Sequence, residues 1–80
     1  MKRNEYKTKL KQKRIEAGLT QQSLADAAGI NKRSYERLEQ GHRLIDDCSL
    51  DTILKVCITL KCDMGDILEN TELYNQYKSI

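Results

Sequence analysis

Residues 20–41 read TQQSLADAAGINKRSYERLEQG and contain the strongest structural pattern of the chain. Small and apolar residues recur at helical spacing over residues 21–28, which predicts a helix there. Gly29 is suited to the left-handed backbone of a sharp turn after a helix, because it has no Cβ atom. Asn31 offers a short side chain that can cap a second helix over residues 32–40. The stretch therefore predicts two short helices joined by a tight turn.

The second of these helices has a basic outer face. Lys32, Arg33 and Arg37 share one side of it, whereas Tyr35 and Leu38 share the other. A helix fits the major groove of B-DNA, where Arg and Lys donate to guanine and Asn or Gln pairs with adenine. A charged helix alone is more often a solvated surface. Its place after a turn glycine and a run of small residues favours DNA recognition.

Charge is distributed unevenly along the chain. Residues 1–43 contain 11 Lys and Arg against 5 Asp and Glu, whereas residues 44–80 contain 3 against 7. The first part of the chain is therefore suited to phosphates and the second part is not. This indication of nucleic-acid binding is independent of the motif.

Length and composition are typical of one small helical domain. Eighty residues lie near the lower limit for a self-sufficient core, proline is absent, and charged residues make up 32% of the chain. No apolar run approaches the length of a membrane span, and the basic N-terminus lacks the apolar stretch of a signal peptide. We therefore expect a cytoplasmic, nucleoid-associated protein with no membrane partner.

Cysteine and histidine usage argues against a metal site. Cys48, Cys57 and Cys62 form no CxxC pair, and His42 is the only histidine. We expect no metal, no cofactor and reduced thiols, with Cys57 in the core. The sequence contains no plausible nucleophile–base pair and no Gly-rich phosphate loop, so an enzyme is not expected.

The motif resembles the helix-turn-helix of the Xre/Cro family, which contains the lambdoid phage repressors. The matching positions are Gln21, Leu24, Ala25, Ala28, Gly29, Ile30, Leu38, Glu39 and Gly41. The resemblance covers roughly residues 5 to 70 and implies an all-α, compact five-helix, lambda-repressor-like domain. We expect a basic arm over residues 1–5, the DNA-binding domain over residues 6–70, and a C-terminal extension over residues 71–80.

The resemblance also implies roles for individual residues. Base edges are expected to be contacted by Asn31, Lys32, Arg33 and Arg37. Phosphate contacts are expected for Thr20, Gln21, Ser34, Tyr35 and Arg43. For Asn31 and Ser34 the choice between base and phosphate stays open, and Gln21 is also a candidate for bracing the base-reading side chains. Tyr35 departs from the family, which more often has Ile or Val, so its ring is expected either in the core or tilting the helix.

Family members often pair an arginine at the position of Arg14 with a glutamate at the position of Glu39. We expect that structural ion pair here, clamping a first helix over residues 6–17 to the end of the motif. Two more helices are predicted over residues 50–61 and 64–70. In the extension, Leu73, Tyr74, Tyr77 and Ile80 recur at helical spacing. That pattern is compatible with packing on the domain, with a frayed end or with a dimer contact.

These features predict a sequence-specific regulator of transcription that binds double-stranded DNA. Its simplest form is a repressor that binds a palindromic operator as a homodimer. Two alternatives stay open. In the first alternative, the chain is an antitoxin that also binds a toxin. In the second, it is a module that keeps the fold and binds another protein without reading DNA.

Overall fold

The predicted pair of helices lies at the centre of the computed structural model, which describes residues 6–80. They are α2 (Gln21–Ala28) and α3 (Lys32–Glu39). Gly29 ends α2 in the left-handed conformation, with φ 70° and ψ 32°, as the sequence predicts. The Asn31 side chain caps α3 by accepting hydrogen bonds from two backbone N–H groups of its first turn. The arm expected over residues 1–5 lies outside the described residues.

Three further helices complete the fold. They are α1 (Lys9–Glu16), α4 (Leu50–Leu60) and α5 (Thr71–Lys78), and short 3-10 turns lie at Ile45–Asp47 and Met64–Asp66. Residues 6–80 thus form five α-helices and no strand, which confirms the predicted all-α class. Over the same range, no helix is both long and apolar enough to cross a bilayer.

The first helix begins three residues later than the predicted start at Tyr6. Thr8 is the reason, because its hydroxyl caps α1 by accepting the N–H of Lys11. The same hydroxyl donates to the backbone carbonyl of Glu39 at 3.1 Å, and Thr8 is buried. The start of α1 is therefore fixed against the end of α3 as well as by its own cap.

The prediction of a helix over residues 64–70 is wrong, because only the single 3-10 turn forms there. Asp63 caps that turn, as its side chain accepts the N–H of Gly65. The turn does not continue because the Asp46 carboxylate accepts the N–H groups of Glu69 and Asn70 at 2.9 and 2.8 Å. Asn70 then caps α5, so the fifth helix lies in what the sequence suggested was an extension.

Helix α2 lies between α3 and α4 and packs against both. The buried core consists of Leu10, Leu24, Ala25, Ala28, Tyr35, Leu38, Ile45, Ile53, Val56, Cys57, Leu60 and Ile67. Cys57 lies in the core as predicted. Leu50 and Leu54 are exposed, because the buried stripe of α4 runs through Ile53, Val56 and Leu60.

Candidate nucleic-acid interface

The buried Glu39 carboxylate holds the end of α3 in place. The Arg14 side chain on α1 donates to it through Nε at 2.5 Å and through Nη2 at 3.2 Å, which is the expected ion pair. Gln21 at the start of α2 donates to Glu39 Oε1 at 3.1 Å. The Tyr35 hydroxyl also donates to this carboxylate. One anion therefore ties three helices together, and its four donors compensate for burial.

The pKa of Glu39 reflects the same arrangement. Burial by itself raises the pKa of the carboxyl, because it disfavours the charged form. Hydrogen bonds from Arg14, Tyr35 and Gln21 outweigh that effect and leave the pKa of Glu39 below its usual value. Burial and the bond to Glu39 raise the pKa of Tyr35, so its phenol stays a neutral donor. Arg14, Gln21, Tyr35 and Glu39 thus form a clamp, which consists of one charged pair with neutral donors added.

Tyr35 is not available to a phosphate, which corrects the role expected for it. The ring is completely buried between the helices, and the hydroxyl is bonded to Glu39. Of the two arrangements expected for the ring, the structure adopts the core position. The partner of the hydroxyl is Glu39, four residues later on the same helix, and not the phosphate expected from the sequence.

Gln21 has both a structural bond and partial exposure. One N–H of its side-chain amide is used by Glu39. The second N–H of the amide is not used by Glu39. Gln21 lies at the N-terminal end of α2, where the positive end of the helix dipole favours a phosphate. The bond to Glu39 therefore orients the amide and leaves one donor for DNA, so the phosphate role of Gln21 remains a prediction.

Outside this clamp, α3 presents a row of exposed side chains. Arg33 and Arg37 are both exposed, and among residues 6–80 neither forms an ion pair. With Glu36, Gln40 and His42 they line a shallow hollow on the surface. Free guanidinium groups on an exposed helix suit base edges and phosphates, because both present acceptor oxygens or nitrogens.

Lys32 and Asn31 are less free than the sequence suggests. Lys32 Nζ lies 3.8 Å from Glu36 Oε2, one turn further along α3. The Asn31 side-chain oxygen is occupied by the N–H groups of Arg33 and Ser34. Asn31 therefore has only its amide N–H groups to offer to DNA. The i, i+4 spacing of Lys32 and Glu36 is the signal that could have revealed their pairing.

Three of the expected phosphate residues are exposed, two beside α3 and one at the start of α2. Ser34, Arg37 and Arg43 line a second hollow, so the structure brings Arg43 from the following loop to the side of the helix. Thr20 is exposed at the start of α2, where its hydroxyl accepts the N–H of Ser23 at 3.0 Å. Ser34, Arg43 and Thr20 are thus all accessible, and their phosphate contacts remain predictions.

Comparison with known proteins agrees with this geometry. A search of curated proteins gives no match. Among solved structures, the fold is similar to that of the restriction-modification controller protein C.AhdI from Aeromonas hydrophila. The two share 29% sequence identity, the TM-score is 0.64, and the match covers 72% of this chain and 83% of the controller protein. The family model of the Cro/C1-type helix-turn-helix DNA-binding domain matches residues 9–72, and the chain belongs to that family.

Proposed function

We propose that this DNA-binding protein is a sequence-specific transcriptional repressor that binds a palindromic operator as a homodimer. The observation that carries the proposal is the exposed face of α3. Arg33 and Arg37 project from it without an ion pair in the described part of the chain, while the opposite side is fixed to the core by Tyr35, Leu38 and Glu39. A rigid helix with free cations on its outer side is what major-groove reading requires.

A regulatory role is supported by the structural neighbour, which is a controller protein by name. We infer steric repression for this chain, in which a dimer bound at an operator blocks access of the polymerase. The antitoxin alternative has no such support, because neither the family nor the structural neighbour is named for binding a toxin. No catalytic step forms part of the proposal.

Dimerisation is supported by the uncovered side of α5. Leu73 and Tyr77, four residues apart on α5, are 63% and 65% exposed, and Ile80 is fully exposed after the end of the helix. Single exposed apolar residues are ordinary, but a helix with its apolar side in water favours a partner surface. A second copy of the chain would cover this side in a two-fold contact, since each copy would offer the same residues.

A tyrosine side chain connects α5 to the segment that precedes it. The Tyr74 hydroxyl donates to Asp63 at 2.6 Å, and its ring lies over Gly65. A Cβ atom at Gly65 would come within 2.7 Å of that ring, so a larger residue there would displace the ring. This contact orients the side of α5 that carries Leu73 and Tyr77. In a two-fold dimer it would help to set the two α3 helices about one DNA turn, roughly 34 Å, apart.

A charge-reversal experiment tests whether the α3 face binds DNA. The double variant Arg33→Glu/Arg37→Glu is compared with Lys55→Glu/Lys61→Glu, which makes the same charge change on α4 and at its end. Binding to a pool of random duplexes is measured by fluorescence anisotropy at moderate salt. We expect the α3 variant to lose at least about 100-fold in affinity and the α4 variant much less, because general attraction weakens with distance.

Equal losses for the two variants would contradict the proposal, since only net charge would then matter. Retained function of the α3 variant inside the cell would favour a protein-interaction module that acts through another face. Thermal unfolding of both variants serves as the folding control, and all four residues are exposed.

A further inference from the structure

Glu36 is an acidic residue on the surface that the proposed function assigns to DNA. It lies on α3 between Arg33 and Arg37 and lines the same hollow with them. Its side chain is 36% exposed, and its Oε2 atom is 3.8 Å from Lys32 Nζ. Neither the core nor the Glu39 clamp uses this carboxylate. Its place among the cations therefore calls for an explanation.

A carboxylate on a DNA-facing helix opposes general binding to DNA, because phosphates carry the same sign of charge. It also opposes most base edges in the major groove. Guanine presents the acceptors N7 and O6, thymine presents O4, and adenine places N7 beside its amino group. Cytosine presents only the N4 amino donor, which a carboxylate can accept from. Of the four bases, cytosine is therefore the one that best accommodates a carboxylate.

We infer that Glu36 is a specificity-determining residue that accepts a hydrogen bond from the N4 amino group of a cytosine in each half-site. The inference rests on the proposed function and deepens it by naming a base. Lys32 lies beside one carboxylate oxygen and leaves Oε1 for the cytosine. Arg33 and Arg37 flank Glu36 on the helix, and their guanidinium groups are left for guanines of neighbouring base pairs.

The lysine pairing also supports this role. Lys32 precedes Glu36 by four residues, so the ammonium group lies on the same side of the helix. It partly neutralises the carboxylate in the free protein, and Glu36 pairs with Lys32 rather than with Arg33 or Arg37. The two arginines therefore stay free of intramolecular ion pairs within the described residues.

The experiment compares wild type, Glu36→Ala and Glu36→Gln on duplexes enriched by the wild-type protein, with each base pair replaced in turn. For the wild type, replacing one cytosine in each half-site should weaken binding about 5- to 150-fold. In Glu36→Ala that penalty should fall below about twofold, while preferences elsewhere are kept. In Glu36→Gln the preference at the same position should move to adenine, because an amide can pair with N6 and N7.

The control variant is Glu16→Gln, which removes an equal charge from another exposed lysine–glutamate pair, at the end of α1. It should leave every base preference unchanged. The inference is overturned if Glu36→Ala tightens binding to all duplexes alike and the cytosine preference stays. The carboxylate would then act only through general repulsion.

Failure of the underlying function has a different signature. If wild-type protein enriches no sequence from a random pool, the proposed sequence reading fails, and the role of Glu36 fails with it. If the wild type enriches a sequence whose half-site has no position that requires cytosine, only the role of Glu36 is overturned.

Discussion

Helices α3 and α5 have the same length, but the rest of the molecule covers the apolar side of α3 and not that of α5. Both contain eight residues with one apolar and one polar side. In α3 the apolar side is covered, with Tyr35 completely buried and Leu38 4% exposed. In α5 no residue is buried, and Leu73 and Tyr77 are more than half exposed. The domain thus covers the apolar side of one helix and leaves that of the other in water.

This difference separates two tasks. Helix α3 can offer its polar side to DNA because its apolar side and the Glu39 clamp already fix it to α1 and α2. Helix α5 is fixed by a polar residue pair, Tyr74 and Asp63, together with the cap at Asn70. Its apolar side is left for another surface. We therefore expect mutations in α3 to change sequence reading and mutations in α5 to change assembly.

The largest expected effect comes from breaking the clamp that fixes α3. Arg14→Ala leaves a buried carboxylate with only Tyr35 and Gln21 as side-chain donors, so the free energy of unfolding should fall by about 3 kcal/mol. Urea denaturation followed by circular dichroism measures this change. Lys13→Ala is the matched control, because its ion pair with Glu16 is exposed and should be worth less than about 1 kcal/mol. Similar losses for the two variants would contradict the clamp.

A charge placed on the apolar side of α5 should disrupt the homodimer. Tyr77→Asp places a carboxylate in the proposed two-fold contact and should weaken the dimer by about 2 kcal/mol or more, as for a central interface residue. Sedimentation velocity gives the monomer fraction. Asn75→Asp, on the other side of the same helix, should leave it unchanged. A dimer that tolerates Tyr77→Asp would remove α5 from the interface.

The polar side of α3 should respond in base preference rather than in stability. Arg33→Ala should cost about 1–3 kcal/mol in operator binding and relax the preference at one position of each half-site. Titration of operators that differ at single base pairs measures this. Equal weakening on every duplex would assign Arg33 to phosphate instead.

The clamp should also make stability depend on pH. Because the folded state lowers the pKa of Glu39, this contribution is fully present above the ordinary value of about 4.5. It is lost as pH falls through the folded pKa, where the carboxylate takes up a proton. We expect the free energy of unfolding to decrease below about pH 4.5, and Glu39→Gln to flatten that decrease. An unchanged acid profile in the variant would show that Glu39 carries no such contribution.

The smallest expected effect is at the edge of α3. Arg43→Ala should weaken binding to all duplexes to a similar degree and reduce the slope of log affinity against log salt by about one unit, because one phosphate contact is lost. Binding isotherms at several salt concentrations measure the slope. A slope that does not change would take Arg43 off the phosphate surface.

Much of the α3 side could be predicted from sequence, because its signals are local. Gly29 needs a left-handed backbone, Asn31 is a cap, and both are found where the pattern puts them. The Arg14–Glu39 pair was expected only through the family resemblance, since 25 residues separate the partners. The Tyr35 hydroxyl was misassigned, because its burial depends on how three helices pack.

The α5 side was harder to predict because its signals are not local. Residues 64–70 look helical, with Asp63 as a cap, yet Asp46 takes the N–H groups that would have continued the helix. Lys9 likewise donates to the carbonyl of Gly65 at 2.7 Å. Competition from residues more than 20 positions away does not show in a helical pattern. The start of α5 follows from that competition.

The most direct test of the account is enrichment of duplexes bound by the wild-type protein from a random pool at moderate salt. We expect an inverted repeat whose half-site centres lie about one helical turn apart, since two α3 helices would read one face of the DNA. Enrichment of a single half-site would contradict the dimer. Salt-sensitive binding with no enriched sequence would contradict the central claim that the outer face of α3 reads bases.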